Sequence, residues 1–232
     1  MKYVGTRVIR GPDWSGGNED GGEGSLGTVI NAYDSVGKVK VMWDFGGHGI
    51  YKAGSDGKHE LLLYDNGPTG VIHTSVVCDG KCKDKMPLTG IRWKCRECED
   101  FDLCTRCFMD QTHNQNHKFL RQTTPSTTVY STGDGHGNRV ITLHGILPGA
   151  SVTRGVDWES GNEDGGKRNE GVVEKLTKWG STSYDGSALV KWSNGFRTNY
   201  RVGGDGCVDL LCFGESRKYL CVPAYLPVLG NP

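Results

Sequence analysis

Long apolar runs are missing from this chain of 232 residues, and no stretch approaches the roughly 18 apolar positions that cross a bilayer. The amino-terminal MKYVGTRVIRGPDW lacks the apolar core of a secretory signal, and no N-x-[ST] acceptor occurs. A reducing, cytoplasmic setting is therefore the expectation, with any membrane association indirect. Charge of one sign is not in excess, because Lys and Arg total 27 and Asp and Glu also total 27. Nucleic-acid binders carry a basic surplus, so no nucleic-acid partner is expected. Apolar residues make up 35%, too few for one large core, and the 36 glycines have no collagen-type period. That balance points to several small, turn-rich β domains.

Cysteine is sparse outside one window. Six of the nine cysteines fall between Cys78 and Cys107, with His113 and His117 just beyond. The order is Cys78-x3-Cys82, Cys95-x2-Cys98, Cys104-x2-Cys107, His113-x3-His117. Two thiolates from one tight turn fill two corners of a tetrahedron, so short paired spacings suit zinc. Eight donors make two closed four-coordinate sites, which favours a structural role over a catalytic one. An odd cysteine total and the missing signal argue against a disulfide knot. Cys207, Cys212 and Cys221 are scattered and read as core or incidental thiols.

The flanks repeat each other. Gly5, Val8, Arg10, Gly11, Asp13, Trp14 and the run Gly17–Gly22 meet identical residues from Gly149 to Gly166 at an offset of 144. Farther on, Trp43, Tyr51 and Asp56-Gly57 meet Trp192, Tyr200 and Asp205-Gly206 at an offset of 149. Each copy reads as short strands parted by Gly, Asn and Asp, and a domain of that size protects its edges best as a small SH3-like β-barrel. The repeated N-E-D-G-G lacks the carboxylate spacing of an EF-hand loop. GEGSLG matches G-x-G-x-x-G, but β-like sequence follows it instead of a helix, and the second copy loses the pattern. Nothing like G-x-S-x-G appears, so no catalytic centre is expected in this chain. Trp14 and Trp158 read equally as groove-lining or as packed on the barrel, whereas the strand aromatics read as core. Arg10 and Arg154 are expected to pair with Asp13 and Asp157, a structural role, ahead of the alternative of meeting an acidic group on a partner.

The cysteine window, with IRWKC and DFDLC inside it, resembles a ZZ-type zinc finger. The resemblance implies interleaved sites: Cys78, Cys82, Cys104 and Cys107 for one ion, and Cys95, Cys98, His113 and His117 for the other. One departure is the three residues between Cys78 and Cys82, where the family usually has two. Some ZZ fingers hold a peptide's N-terminal amine with acidic residues, which makes Asp100 and Asp102 candidates, against the plainer reading of a solvated acidic loop. The repeated R-G-x-D-W and E-D-G-G resemble Mib-Herc domains, and the order of modules resembles the N-terminal region of Mind bomb proteins. The implied division is a first Mib-Herc domain over 1–70, a ZZ finger over 73–125, a linker over 126–143, and a second Mib-Herc domain with its extension over 144–232. Mind bomb proteins are RING-type E3 ubiquitin ligases acting on cytoplasmic tails of Notch ligands of the Delta and Jagged type. The resemblance implies a substrate-recognition region that binds such tails and meets a ubiquitin-loaded E2 only through a RING elsewhere in the parent protein. The alternative is a reader of peptide N-termini or histone tails through the finger.

Overall fold

The computed structural model describes residues 2–82, 87–114, 116–127, 130–131, 139–180, 185–214 and 218–230. The first copy contains β1 (Arg7–Arg10), β2 (Gly27–Tyr33), β3 (Lys38–Trp43), β4 (His48–Lys52) and β5 (Leu61–Asp65). The finger contains β6 (Ile72–His73), β7 (Leu88–Thr89), β8 (Arg92–Cys95), β9 (Asp102–Cys104), α1 (Thr105–Met109), β10 (Phe119–Gln122) and β11 (Tyr130–Ser131). Strand β12 (Ile141–Leu143) precedes the second copy, made of β13 (Ser151–Arg154), β14 (Gly171–Lys178), β15 (Asp185–Trp192), β16 (Arg197–Arg201) and β17 (Leu210–Cys212); β18 (Tyr219–Cys221) closes the series. Much of the span read as a linker, 128–129 and 132–138, lies outside the described residues.

The chain is mostly β, and alternation explains why. In KVKVMW, Val39 and Val41 point inward while Lys38 and Lys40 remain partly exposed. The two copies fold alike, with strand orders β4-β3-β2-β1-β5 and β16-β15-β14-β13-β17. Their repeated Asp-Gly turns also match, since Asp56 and Asp205 both take φ 54° ahead of Gly57 and Gly206. Asp is one of the few residues that tolerates that left-handed backbone.

The sheets are not closed barrels, which corrects the sequence expectation. In the first copy the segments after β4 and before β5 are joined by the isolated Ala53–His59 bridge and a few bonds beside it, such as Glu60 N–H to Lys52 O at 2.9 Å, and in the second copy by Val202–Val208 with Asp209 N–H to Arg201 O at 3.0 Å. The physical reason is that other segments cover the outer edge. Leu229 donates its N–H to Leu61 O and Leu63 donates to Pro227 O, both at 2.9 Å, so the tail caps β5. Cys212 N–H donates to Asp44 O at 2.7 Å, so the first copy caps β17.

The modules are therefore assembled through one another. The tail runs away from the second copy, and β18 pairs with β12. Val222 N–H then reaches Met109 Sδ at 3.4 Å, Tyr225 packs on Phe108 with ring centroids 5.5 Å apart, and His59 Nδ1–H donates to Leu229 O at 2.8 Å. One hydrophobic cluster joins the first copy, finger and tail, while a second gathers the second copy with Met42 and Ile146. The first and second copies touch backbone to backbone at Gly5 and Gly203. A Cβ on Gly203, whose φ is +97°, would lie 2.6 Å from Gly5 O. Gly203→Ala should cost about 1–2 kcal/mol from the backbone conformation alone. The added clash should lower the urea midpoint further, whereas Gly17→Ala, with the same left-handed strain but open space, should show only the first cost.

Candidate metal centre and its surroundings

The β8–β9 hairpin pairs Arg92 with Cys104 and Lys94 with Asp102, placing Cys95 and Cys104 at opposite ends of a short ribbon. Trp93 is fully buried beneath that ribbon, stacked on Phe108 at 4.0 Å, with its indole N–H donating to Thr105 Oγ1 at 3.1 Å. Phe101 is half-buried and stacks on the His113 ring, also at 4.0 Å. These few aromatic contacts orient the donors but are too small a core to fold the finger.

Two groups of donors converge: Cys78, Cys82, Cys104 and Cys107 in one, and Cys95, Cys98, His113 and His117 in the other. Within each group all donor atoms lie within 4.8 Å of one another. In the second group Cys95 Sγ is 3.4 Å and Cys98 Sγ 3.5 Å from His117 Nδ1, and Cys98 Sγ is 3.5 Å from His113 Nε2. The two ring nitrogens are 3.1 Å apart. A tetrahedral zinc with ordinary bond lengths requires sulfur–nitrogen edges of ~3.6 Å and nitrogen–nitrogen edges of ~3.3 Å. The donors fit the ion, which His113 would meet through Nε2 and His117 through Nδ1.

The electrostatics agree. The Cys104 thiol is pushed well up by hydrogen bonding with Cys107, then Cys78 and Cys82, while Cys78 is pulled down by its bonds to Cys104 and Cys107. Thiols this close cannot all ionise without a cation between them. Burial, then the neighbouring His117 ring, lowers the His113 pKa and favours the neutral imidazole that ligates metal. Cys104 N–H also donates to Cys78 Sγ at 3.2 Å, the outer contact that steadies a thiolate ligand. Gly80, in the three-residue turn between Cys78 and Cys82, lies close against the helix, where a Cβ would be 2.4 Å from Cys107 Cβ. Asp79 fastens the same turn, donating N–H to Asp102 O and accepting from Asp102 N–H, both at 2.8 Å. With four protein donors each, both sites leave no position for a substrate water, and their role is structural.

Asp100 is at the surface, whereas Asp102 is 3% exposed and binds the Arg92 guanidinium through both oxygens at 2.8 Å. Trp14 is half-buried, stacked on Tyr51 at 5.1 Å and edge-on to Trp43 at 5.7 Å; Trp158 repeats this on Tyr200 at 4.8 Å and Trp192 at 5.6 Å. Each indole N–H is tied to a backbone carbonyl, Gly17 O at 2.9 Å and Gly161 O at 3.0 Å. The arginine partners differ from those expected. Arg10 makes two bonds of 2.5 Å to Asp20 and one of 3.0 Å to Asn18, and Arg154 does the same with Asp164 and Asn162. Asp13 and Asp157 instead accept from the His59 and Val208 N–H groups. The repeated N-E-D-G-G is thus an arginine clamp, with the guanidinium also lying 5.1 Å and 5.0 Å from the Trp14 and Trp158 rings. Asp20→Ala should cost roughly 2–3 kcal/mol by removing charge-assisted bonds, measured by urea unfolding. It should also raise fluorescence quenching of Trp14 by added iodide.

The fold and donors define a double-zinc finger set between two copies of one small β domain. The family model Mib_herc2 matches residues 5–65 and 149–214, and "Zinc finger, ZZ type" matches 72–119. The chain belongs to the Mib_herc2 family. It is 40% identical over 231 residues to "E3 ubiquitin-protein ligase mind-bomb" of Drosophila melanogaster, covering 100% of this chain and 18% of that protein. It is 40% identical over 239 residues to "E3 ubiquitin-protein ligase MIB2" of Gallus gallus, covering 99% of this chain and 24% of that protein. "E3 ubiquitin-protein ligase HERC2" of Homo sapiens is 34% identical over 139 residues, 53% of this chain and 3% of its own length. The chain therefore corresponds to a region of Mind bomb-type E3 ubiquitin ligases and spans about a quarter or less of those relatives. Among the described residues no helix is long and apolar enough to cross a membrane.

Proposed function

We propose that this chain is the substrate-recognition region of an E3 ubiquitin ligase, binding cytoplasmic tails of Notch ligands of the Delta and Jagged type. The observation that carries the reading is the 40% identity to a mind-bomb ligase along the whole chain, through both β copies and the finger. In this reading the assembly works in the cytoplasm and meets the membrane only through the ligand. A RING elsewhere in the parent protein recruits the ubiquitin-loaded E2. The two zinc sites hold the shape of the receptor and take no part in ubiquitin transfer.

The amine-reading alternative draws on Asp100, the surface carboxylate beside the second zinc site. Asp102 favours it less, because its oxygens are engaged by Arg92. Calorimetry with a panel of ligand-tail peptides, with and without a strong chelator, separates the two. Micromolar or tighter binding that is lost with zinc supports the receptor. Binding that survives N-terminal acetylation of the peptide and Asp100→Asn excludes the amine reader. No binding by folded, zinc-loaded protein overturns the receptor reading.

A further inference from the structure

The three modules meet at one pair of carboxylates. Asp65 ends β5 of the first copy and Asp185 begins β15 of the second. Thr89, on β7 of the finger, donates its hydroxyl to Asp185 Oδ2 at 2.7 Å. Asp65 Oδ1 accepts the Gly67 N–H at 2.9 Å. Two glycines allow this closeness. A Cβ on Gly90 of the finger would lie 2.1 Å from Asp65 Oδ1, and one on Gly67 would lie 3.3 Å from that oxygen and 3.5 Å from Asp185 Cβ. Both carboxylates open on a cleft of about 80 Å³ shared by all three modules, whose wall includes Thr89, Arg106 and Lys178.

We propose that this junction is a proton-operated latch, in which Asp65 holds a proton when the three modules are docked and loosens them when it ionises. The surrounding charges do not remove the conflict. Arg7, opposite Asp65 in the β1–β5 register, already makes two bonds to Asp44. Arg106 on α1 and Lys178 on β14 face the cleft, but so does the four-thiolate zinc site, through Cys78, Cys82 and Cys104. His73, packed behind Gly90 with Nε2 3.2 Å from its carbonyl, is held toward the neutral form by burial. Tyr64 is pushed well up by burial and stays neutral. Burial first, then the negative charge of Asp185, raises the Asp65 carboxyl to about 7 from an ordinary 3.8.

The sign follows. A carboxyl whose pKa is higher docked than free binds its proton on docking. Its contribution is complete below about pH 4 and is lost as pH rises through about 7. Acidification tightens the junction, with the opening constant changing by up to about tenfold per pH unit inside that window.

Amide hydrogen exchange on the intact, zinc-loaded chain tests this between pH 5.5 and 8.5, corrected for intrinsic rates. Zinc retention is followed in parallel with a metal indicator. Protection around residues 88–91 and 185–187 should fall several-fold from pH 5.5 to about 7 and level off above it. Asp65→Asn, a neutral isostere, should hold those amides protected across the range. Asp185→Asn removes the like charge that helps raise the Asp65 carboxyl and should shift the transition downward in pH, which keeps the test alive if the first variant misfolds. Flat protection in the wild type overturns the latch, as does a pH response that persists unchanged in both variants.

Discussion

Stripping zinc with a strong chelator should unfold the finger and release the tail while leaving the second β copy folded. The finger's interior is the small set Leu88, Ile91, Trp93, Leu103, Met109 and Phe119, whose burial is largely offset by the entropy of ordering so short a module. Structural zinc contributes about 10–16 kcal/mol to such a module, more than those side chains supply. The finger's loss propagates because its core is continuous with the first copy and the tail. Met109 is the acceptor for Val222, Phe108 carries Tyr225, and the Arg121 guanidinium donates to Tyr225 O. With those supports gone, the tail contacts that cap β5 weaken. The second copy has a separate cluster around Trp192, Tyr200 and Val190, and its amides should stay protected. Hydrogen exchange resolved by segment is the direct measurement, and Cys104→Ser should reproduce the result without chelator. Uniform loss of protection in all three modules would show instead that the assembly is one cooperative unit. Unchanged protection in the finger would mean that its aromatic stack suffices without metal.

Much of this arrangement could be read from residue spacing, and the part that could not has a physical cause. The zinc donors are legible because ligand geometry imposes short, fixed intervals, while their division between two ions depends on the hairpin that crosses them. The β copies are legible because their shared residues are those that fold each copy: Arg10, Asn18 and Asp20 in the clamp, Trp14, Trp43 and Tyr51 in the aromatic stack. Their equivalents are Arg154, Asn162, Asp164, Trp158, Trp192 and Tyr200. Arg10 and Asp13 were natural partners by proximity, yet Asp13 is used to hold the His59 amide. Assembly is written in the residues that differ between copies, and no single-copy pattern shows it. His59, which holds the tail at Leu229, stands where the second copy has Val208, and only the first copy receives the tail. Asp65 and Asp185 lie in different modules and meet only after the chain has folded.

The same comparison between copies sets the last large effect, at Asp44. Arg7 is 6% exposed and Asp44 fully buried, joined by bonds of 2.7 Å from Nη1 to Oδ1 and 2.5 Å from Nη2 to Oδ2. Burial pulls the Arg7 pKa down, and Asp44 more than offsets it, so the guanidinium stays charged. Asp44 Oδ2 also accepts the Ile146 N–H at 2.7 Å, which fixes the entry to the second copy. Asp44→Ala leaves a buried cation without its partner and should cost about 3–5 kcal/mol, read as a fall in the urea midpoint. Replacing both charges should cost much less, because the penalty lies in the uncompensated ion. The second copy shows that this is sterically feasible: its equivalents of Arg7 and Asp44 are Ser151, the first residue of β13, and Ser193, just after β15, at the same places in the same fold. The double variant Arg7→Ser with Asp44→Ser should therefore recover most of the stability of the first copy. It should not recover the protection of the Ile146 amide, whose acceptor is gone. A double variant as unstable as Asp44→Ala would mean that the carboxylate acts mainly through Ile146, making it a joint between modules more than a partner for Arg7.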